Sequence, residues 1–81
     1  MDIRFHPHAV QRMQERSISV DEVIQTITQP EGRIPQSKDK TIFYKTLKGR
    51  SDNLVAAVVV EKQPGDIWEV LTVLVNFEVR K

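Results

Sequence analysis

Leu54-Val55-Ala56-Ala57-Val58-Val59-Val60 is the longest apolar run in the chain. Seven residues are far too few to cross a bilayer as a helix. Read as a strand, the run places Val55, Ala57 and Val59 on one face and Leu54, Ala56, Val58 and Val60 on the other. A strand that is apolar on both faces belongs in the middle of a sheet. The run is flanked by Lys48-Gly49-Arg50-Ser51-Asp52-Asn53 and by Pro64-Gly65-Asp66, both rich in turn formers. Beyond these turns lie two more β-branched and aromatic stretches, at residues 41–47 and 67–75. Turns this short join antiparallel neighbours, because a parallel crossover needs a dozen residues or more. The strands therefore read as an antiparallel meander over residues 41–47, 54–61 and 67–75. Phe77 and Val79 alternate with charged neighbours and suggest a short fourth strand.

Upstream the periodicity changes. His6-Pro7-His8 opens a helix over about residues 7–16, with Pro7 at the first helical position, where its missing N–H is not needed. A second helix over about residues 20–29 has the clearest local signature of the chain. Ser19 and Glu22 form a capping box, and Ile18 and Val23 are placed as its hydrophobic staple. Val20, Val23, Ile24 and Ile27 make one apolar stripe, and Pro30 ends the helix. Residues 31–40 are polar, include Gly32 and Pro35, and read as a loop. The expectation is a single α+β domain over residues 1–81, with two N-terminal helices packed on a curved antiparallel sheet of three to four strands.

Composition narrows the chemistry. The 81 residues have room for one small domain, which buries only about 60–65% of its unfolded surface. No cysteine is present, so disulfides and thiolate chemistry are excluded. The two histidines, His6 and His8, have no supporting ligands at zinc spacing, and no metal or cofactor is expected. The glycines Gly32, Gly49 and Gly65 are isolated, which excludes a glycine-rich phosphate loop. The N-terminus has no long apolar stretch of the signal-peptide kind, and with the lack of cysteine this favours the cytoplasm. Net charge is +1, but it is unevenly spread. Residues 1–50 hold nine Lys/Arg against six Asp/Glu, and residues 51–81 hold three against five. Such asymmetry can aim one face at nucleic acid.

The positive charge has a pattern. On a helix His8, Arg12 and Arg16 fall four residues apart along one edge, beside the apolar Ala9, Val10 and Met13. An imidazole beside two guanidiniums suits a phosphodiester. Histidine can give or take a proton near neutral pH, and arginine grips phosphate with two parallel N–H groups. His8 and Arg12 are the candidate catalytic pair, and Arg16 is a candidate RNA contact. The same residues have structural uses: Arg12 can pair with Glu15 or with the Asp21/Glu22 cluster, and Arg16 can cap its own helix. Lys40, Tyr44 and Lys45 are candidate RNA contacts on the first meander strand, with Tyr44 or Phe43 as a base-stacking ring. Lysines there also protect an edge strand from unwanted pairing. Thr72 is a further candidate phosphate contact, although threonine is at home in any strand. Trp68 reads as a core or interface anchor. The sheet shows no obvious second acid–base group; Glu61, Glu69 and Glu78 are candidates without distinguishing surroundings. A helix-turn-helix reading is disfavoured, because Asp21 and Glu22 would face DNA phosphates.

The string Phe5…His8-Ala9-x-x-Arg12-Met13-x-x-Arg16-x-Ile18-Ser19 resembles a family of small bacterial domains of unknown function that open with His-Ala-x-x-Arg-Met-x-x-Arg-Gly-Ile-Ser. Thr72, in Leu71-Thr72-Val73, is similar to that family's Val-x-Thr-Val ending. The family in turn resembles RelE/ParE-like toxins and barnase-like ribonucleases in fold. That resemblance implies a toxin-like domain that binds RNA or a protein partner, such as an antitoxin-like protein or a second copy of itself. Its alternative implication is a metal-independent endoribonuclease of a toxin–antitoxin system. The chain departs from the motif at Ser17, where the family has glycine. One further point bears on assembly: two helices cover one face of the central strand. Curling of the sheet, the C-terminal tail, a homodimer or another partner would have to cover the second.

Overall fold

The computed structural model describes residues 2–47, 49, 54–63 and 67–77, the backbone alone at 63 and 77. Its elements are β1 (Asp2–Phe5), α1 (Pro7–Arg16), α2 (Val20–Thr28), β2 (Gly32–Pro35), β3 (Lys40–Lys45), β4 (Leu54–Gln63) and β5 (Ile67–Phe77). The strands form one five-stranded sheet in the order β1-β5-β4-β3-β2. The architecture is α+β, with both helices packed on a mixed sheet. Contacts link α1 to β5, and α2 to β3 and β4. No described helix is long and apolar enough to cross a membrane.

The sheet corrects the expectation of three to four antiparallel strands. Two four-residue strands were hidden in segments with other readings. Asp2–Phe5 lies parallel to β5, pairing Ile3 with Trp68 and Phe5 with Val70. It alternates exposed Asp2 and Arg4 with half-buried Ile3 and Phe5, a two-residue period too brief to stand out. Gly32–Pro35, expected as loop, pairs antiparallel with β3. Its glycine and proline argue against a central strand, yet both are tolerated at a sheet edge, and β2 is the edge. Gly32 sits opposite Tyr44, whose ring occupies the space a Cβ at position 32 would need. Phe77 is the last residue of β5 rather than part of a separate strand, and Val79 lies outside the described residues. So do most of the turn at 48–53 and all of 64–66.

The meander itself is present. β3 and β4 pair antiparallel, with Phe43 opposite Ala57, and β4 and β5 pair antiparallel, with Ala57 opposite Val73. The β4–β5 ladder shifts register three times. Each shift leaves an extra residue that bends and twists its strand. At one of them Asn76 takes a left-handed φ of 53°, a conformation asparagine tolerates better than most residues.

The core lies between the helices and one sheet face. It joins Ala9 and Met13 of α1, Ile18, and Val23 and Ile27 of α2 to Phe43, Val55, Ala57, Val59, Val70 and Val73. Trp68 packs at its border and stacks on Phe43, with ring centroids 5.4 Å apart. The capping box of α2 is complete. Glu22 N–H donates to Ser19 Oγ at 3.1 Å, and Ser19 N–H donates to Glu22 Oε1 at 2.8 Å. Buried Thr26 satisfies its hydroxyl by donating to the Glu22 carbonyl. Three residues of the expected apolar stripes stay out of the core: Ile24 is half-buried, Val10 is 40% exposed and Val20 50%. With Phe5, Met13 and Ile18, Val10 and Val20 flank a shallow apolar groove at the α1–α2 corner.

On the helix-free face, paired strand positions bring Ile34, Ile42, Val58 and Thr72 into one cross-strand row. Ala56 is fully buried there, the other four are half-buried, and Leu74 is 39% exposed.

Candidate functional site

α1 is fixed at its start by two hydrogen bonds. The His6 Nδ1 atom accepts from His8 N–H at 3.1 Å, capping the helix. The His6 N–H donates to the Val70 carbonyl at 2.9 Å, tying the same residue to β5. Fully buried Ala9 and nearly buried Met13 then hold the helix on the sheet. The neighbouring edge of α1, with His8, Arg12 and Arg16, is thereby set against the C-terminal half of β5.

Between them is a cleft of about 370 Å³ lined by His8, Arg12, Arg16, Thr72, Val73, Leu74 and Val75. The helix wall carries His8, Arg12 and Arg16, and the strand supplies Thr72, Val73, Leu74 and Val75. Arg12 Nη1 donates to Glu15 Oε1 at 3.3 Å, with both side chains over 40% exposed. That pair engages one nitrogen of a guanidinium with five N–H donors, so Arg12 retains donors for an anion. Arg16 sits in the last turn, where a cation complements the helix dipole. The helix ends one residue on, at Ser17, in left-handed conformation with φ 54°. Its N–H points back to the Gln14 and Met13 carbonyls. The serine accepts the geometry that the resembling motif gives to glycine.

The structure thus brings four sequence-selected residues, His8, Arg12, Arg16 and Thr72, to one cleft. Lys40, Tyr44 and Lys45 are elsewhere. They belong to β3, which β4 separates from β5. Lys45 Nζ donates to the Gln29 carbonyl at 2.8 Å, at the C-terminal end of α2. Tyr44 covers Gly32, and Lys40 lies opposite Val60. Of the acids considered, Glu69 pairs with Lys62 at 3.4 Å and sits between Arg4 and Val60 in the sheet. Glu61 lies opposite Trp68, and Glu78 is outside the described residues. Neither Glu61 nor Glu69 lines the cleft. Glu15, the ion-pair partner of Arg12, does not line it either. Among the described residues no group of three or more His, Cys, Asp or Glu side chains is placed to hold a metal ion.

The sequence reading missed the strand wall beyond Thr72. Val73, Leu74 and Val75 contribute by where β5 runs rather than by side-chain chemistry, and their residue types carry no functional signal.

No curated protein and no solved structure matches the chain. A family model does match, that of a domain of unknown function, DUF4258, over residues 5–75. This span starts at Phe5, takes in both helices, and ends at Val75, the last residue of the cleft wall. By that match the chain belongs to the DUF4258 family.

Proposed function

We propose that this chain is a toxin-like binding domain whose α1–β5 cleft takes the sugar–phosphate backbone of single-stranded RNA. The observation that carries the reading is the convergence of His8, Arg12, Arg16 and Thr72 on one cleft. Two guanidiniums supply charge-assisted donors to phosphate oxygens and the imidazole a third donor, with Thr72 on the strand wall. The opening motif resembles a small-domain family whose fold in turn resembles RelE/ParE-like toxins, and that resemblance supports RNA as the polyanion and the cytoplasm as its setting. Binding without cleavage is preferred, because an acid–base mechanism needs two placed groups, and among the described residues His8 is the one candidate of the two kinds sought, histidine or sheet carboxylate, that lines the cleft.

A labelled single-stranded RNA, titrated with the full chain and followed by fluorescence anisotropy, tests this directly. Arg12→Ala should weaken binding by about tenfold, the size of one lost charge-assisted contact, and His8→Ala by less. Unchanged affinity in Arg12→Ala would remove the cleft from the account. The same RNA incubated with a metal chelator tests the alternative. Cleavage to a 2′,3′-cyclic phosphate that disappears in His8→Ala would make the chain a metal-independent endoribonuclease, with His8 and Arg12 catalytic.

A further inference from the structure

Thr72, Val73, Leu74 and Val75 are consecutive on β5, and all four line the cleft. Successive strand side chains point to opposite faces of a sheet. A cavity reached by four in a row therefore lies along the strand's edge, not over a face. β5 has two edges. The ladder to β4 covers one of them, from Ile67 to Phe77. β1 covers the other only at residues 67–70, and the His6 N–H closes that ladder on the Val70 carbonyl. There the chain leaves the sheet to become α1. Among the described residues no strand pairs with the outer edge of β5 beyond Val70. Among the described residues the floor of the cleft is thus an unpaired strand edge, and one of its walls is the basic edge of a helix.

We propose that this edge accepts an extended acidic segment of a partner protein as an added strand, in line with β1, with its carboxylates facing His8 and Arg12. The proposal rests on the cleft being a ligand site, though not on the ligand being RNA. Open edges are ordinarily blunted by lysine or proline, and residues 71–75, Leu-Thr-Val-Leu-Val, include neither. The spacings also agree. Same-face side chains of a guest strand recur every ~6.6 Å, and α1 offers a basic side chain every fourth residue, a rise of ~6 Å. RNA would use the cations and leave the strand's peptide groups unused. An acidic strand uses both, main-chain bonds for affinity and charge for selection, as in other strand-addition complexes.

The test uses the full chain labelled with ¹⁵N and a blocked octapeptide of four Glu-Val repeats. The expected result is shifted resonances at residues 71–75 and slowed exchange at the alternate amides among them that face the outer edge. Methylating the Glu nitrogens in one peptide and the Val nitrogens in another preserves charge but removes the main-chain donors of one edge at a time, and one of the two should weaken binding by about tenfold or more. A Lys-Val octapeptide should not bind, and Arg12→Glu should weaken the Glu-Val peptide by at least about tenfold. Should Arg12→Glu fail to fold, the methylated peptides decide alone. No response at residues 71–75 with millimolar peptide overturns the proposal, as does undiminished binding of both methylated peptides. RNA binding without peptide binding rejects the added strand and leaves the RNA reading standing; the reverse result rejects RNA and leaves the added strand.

Discussion

Arg12 shows how a site residue is separated from a structural one. Its ion pair with Glu15 is solvent-exposed on both sides, and exposed pairs contribute about 0–1 kcal/mol. Arg12→Ala should therefore shift unfolding free energy by no more than about 0.5 kcal/mol in a urea titration, while lowering RNA affinity. A large stability loss would mark Arg12 as a structural residue. Lys45 should behave in the opposite way. Its ammonium group bonds the Gln29 carbonyl at the end of α2, so Lys45→Ala should cost about 0.5–1 kcal/mol of stability and affect RNA less than Arg12→Ala does. Both residues are positive and near aromatic or apolar neighbours in sequence. Sequence pattern placed Arg12 correctly on an edge with His8 and Arg16, because helix periodicity is local. It could not show that Lys45 reaches back sixteen residues to a helix end, because that contact depends on how β3 packs.

At the scale of elements, legibility follows the range of the interactions. The α2 start is set by four consecutive residues, and its capping box could be read from Ser19 and Glu22 alone. Ser19→Ala should lower stability by about 1 kcal/mol, read as an earlier denaturation midpoint with unchanged slope. The end of α1 is equally local. Ser17 has φ 54°, a region that suits glycine, so Ser17→Gly should leave stability unchanged or raise it by up to about 0.5 kcal/mol after the added flexibility of the unfolded chain is counted. A clear loss of stability in the melting curve would show that the serine side chain is needed. β1 and β2 were not legible. Each has four residues, so only two side chains point inward and no period can be established. β1 finds its partner at the far end of the chain, Asp2 opposite Ile67, and a short-turn rule for antiparallel neighbours says nothing about such a pair. The proline and glycine of β2 are turn signals in most settings, and only its place at the sheet edge makes them acceptable.

For the whole molecule, the functional consequence comes from where β1 ends. A four-residue β1 stops at Phe5, α1 starts at Pro7, and the rest of β5 is left with an edge facing a basic helix. The chemistry of the helix wall was readable from spacing; the strand wall depended on the tertiary path. On the sheet's helix-free face, half-buried Ile34, Ile42 and Val58 and the more exposed Leu74 give the chain a second apolar surface. If it supports self-association, light scattering across micromolar concentrations will show a mass rising above 9.4 kDa; a constant 9.4 kDa species would exclude it. RNA binding itself should weaken with salt, with a log–log slope between about −1.4 and −2.1 for two or three neutralised phosphates. The most direct measurement of the central claim is the amide footprint of a single-stranded RNA on the ¹⁵N-labelled chain. The expected shifts are confined to the α1 edge at His8, Arg12 and Arg16 and to residues 72–75 of β5. Shifts centred on Lys40, Tyr44 and Lys45, with the α1–β5 cleft unchanged, would contradict it.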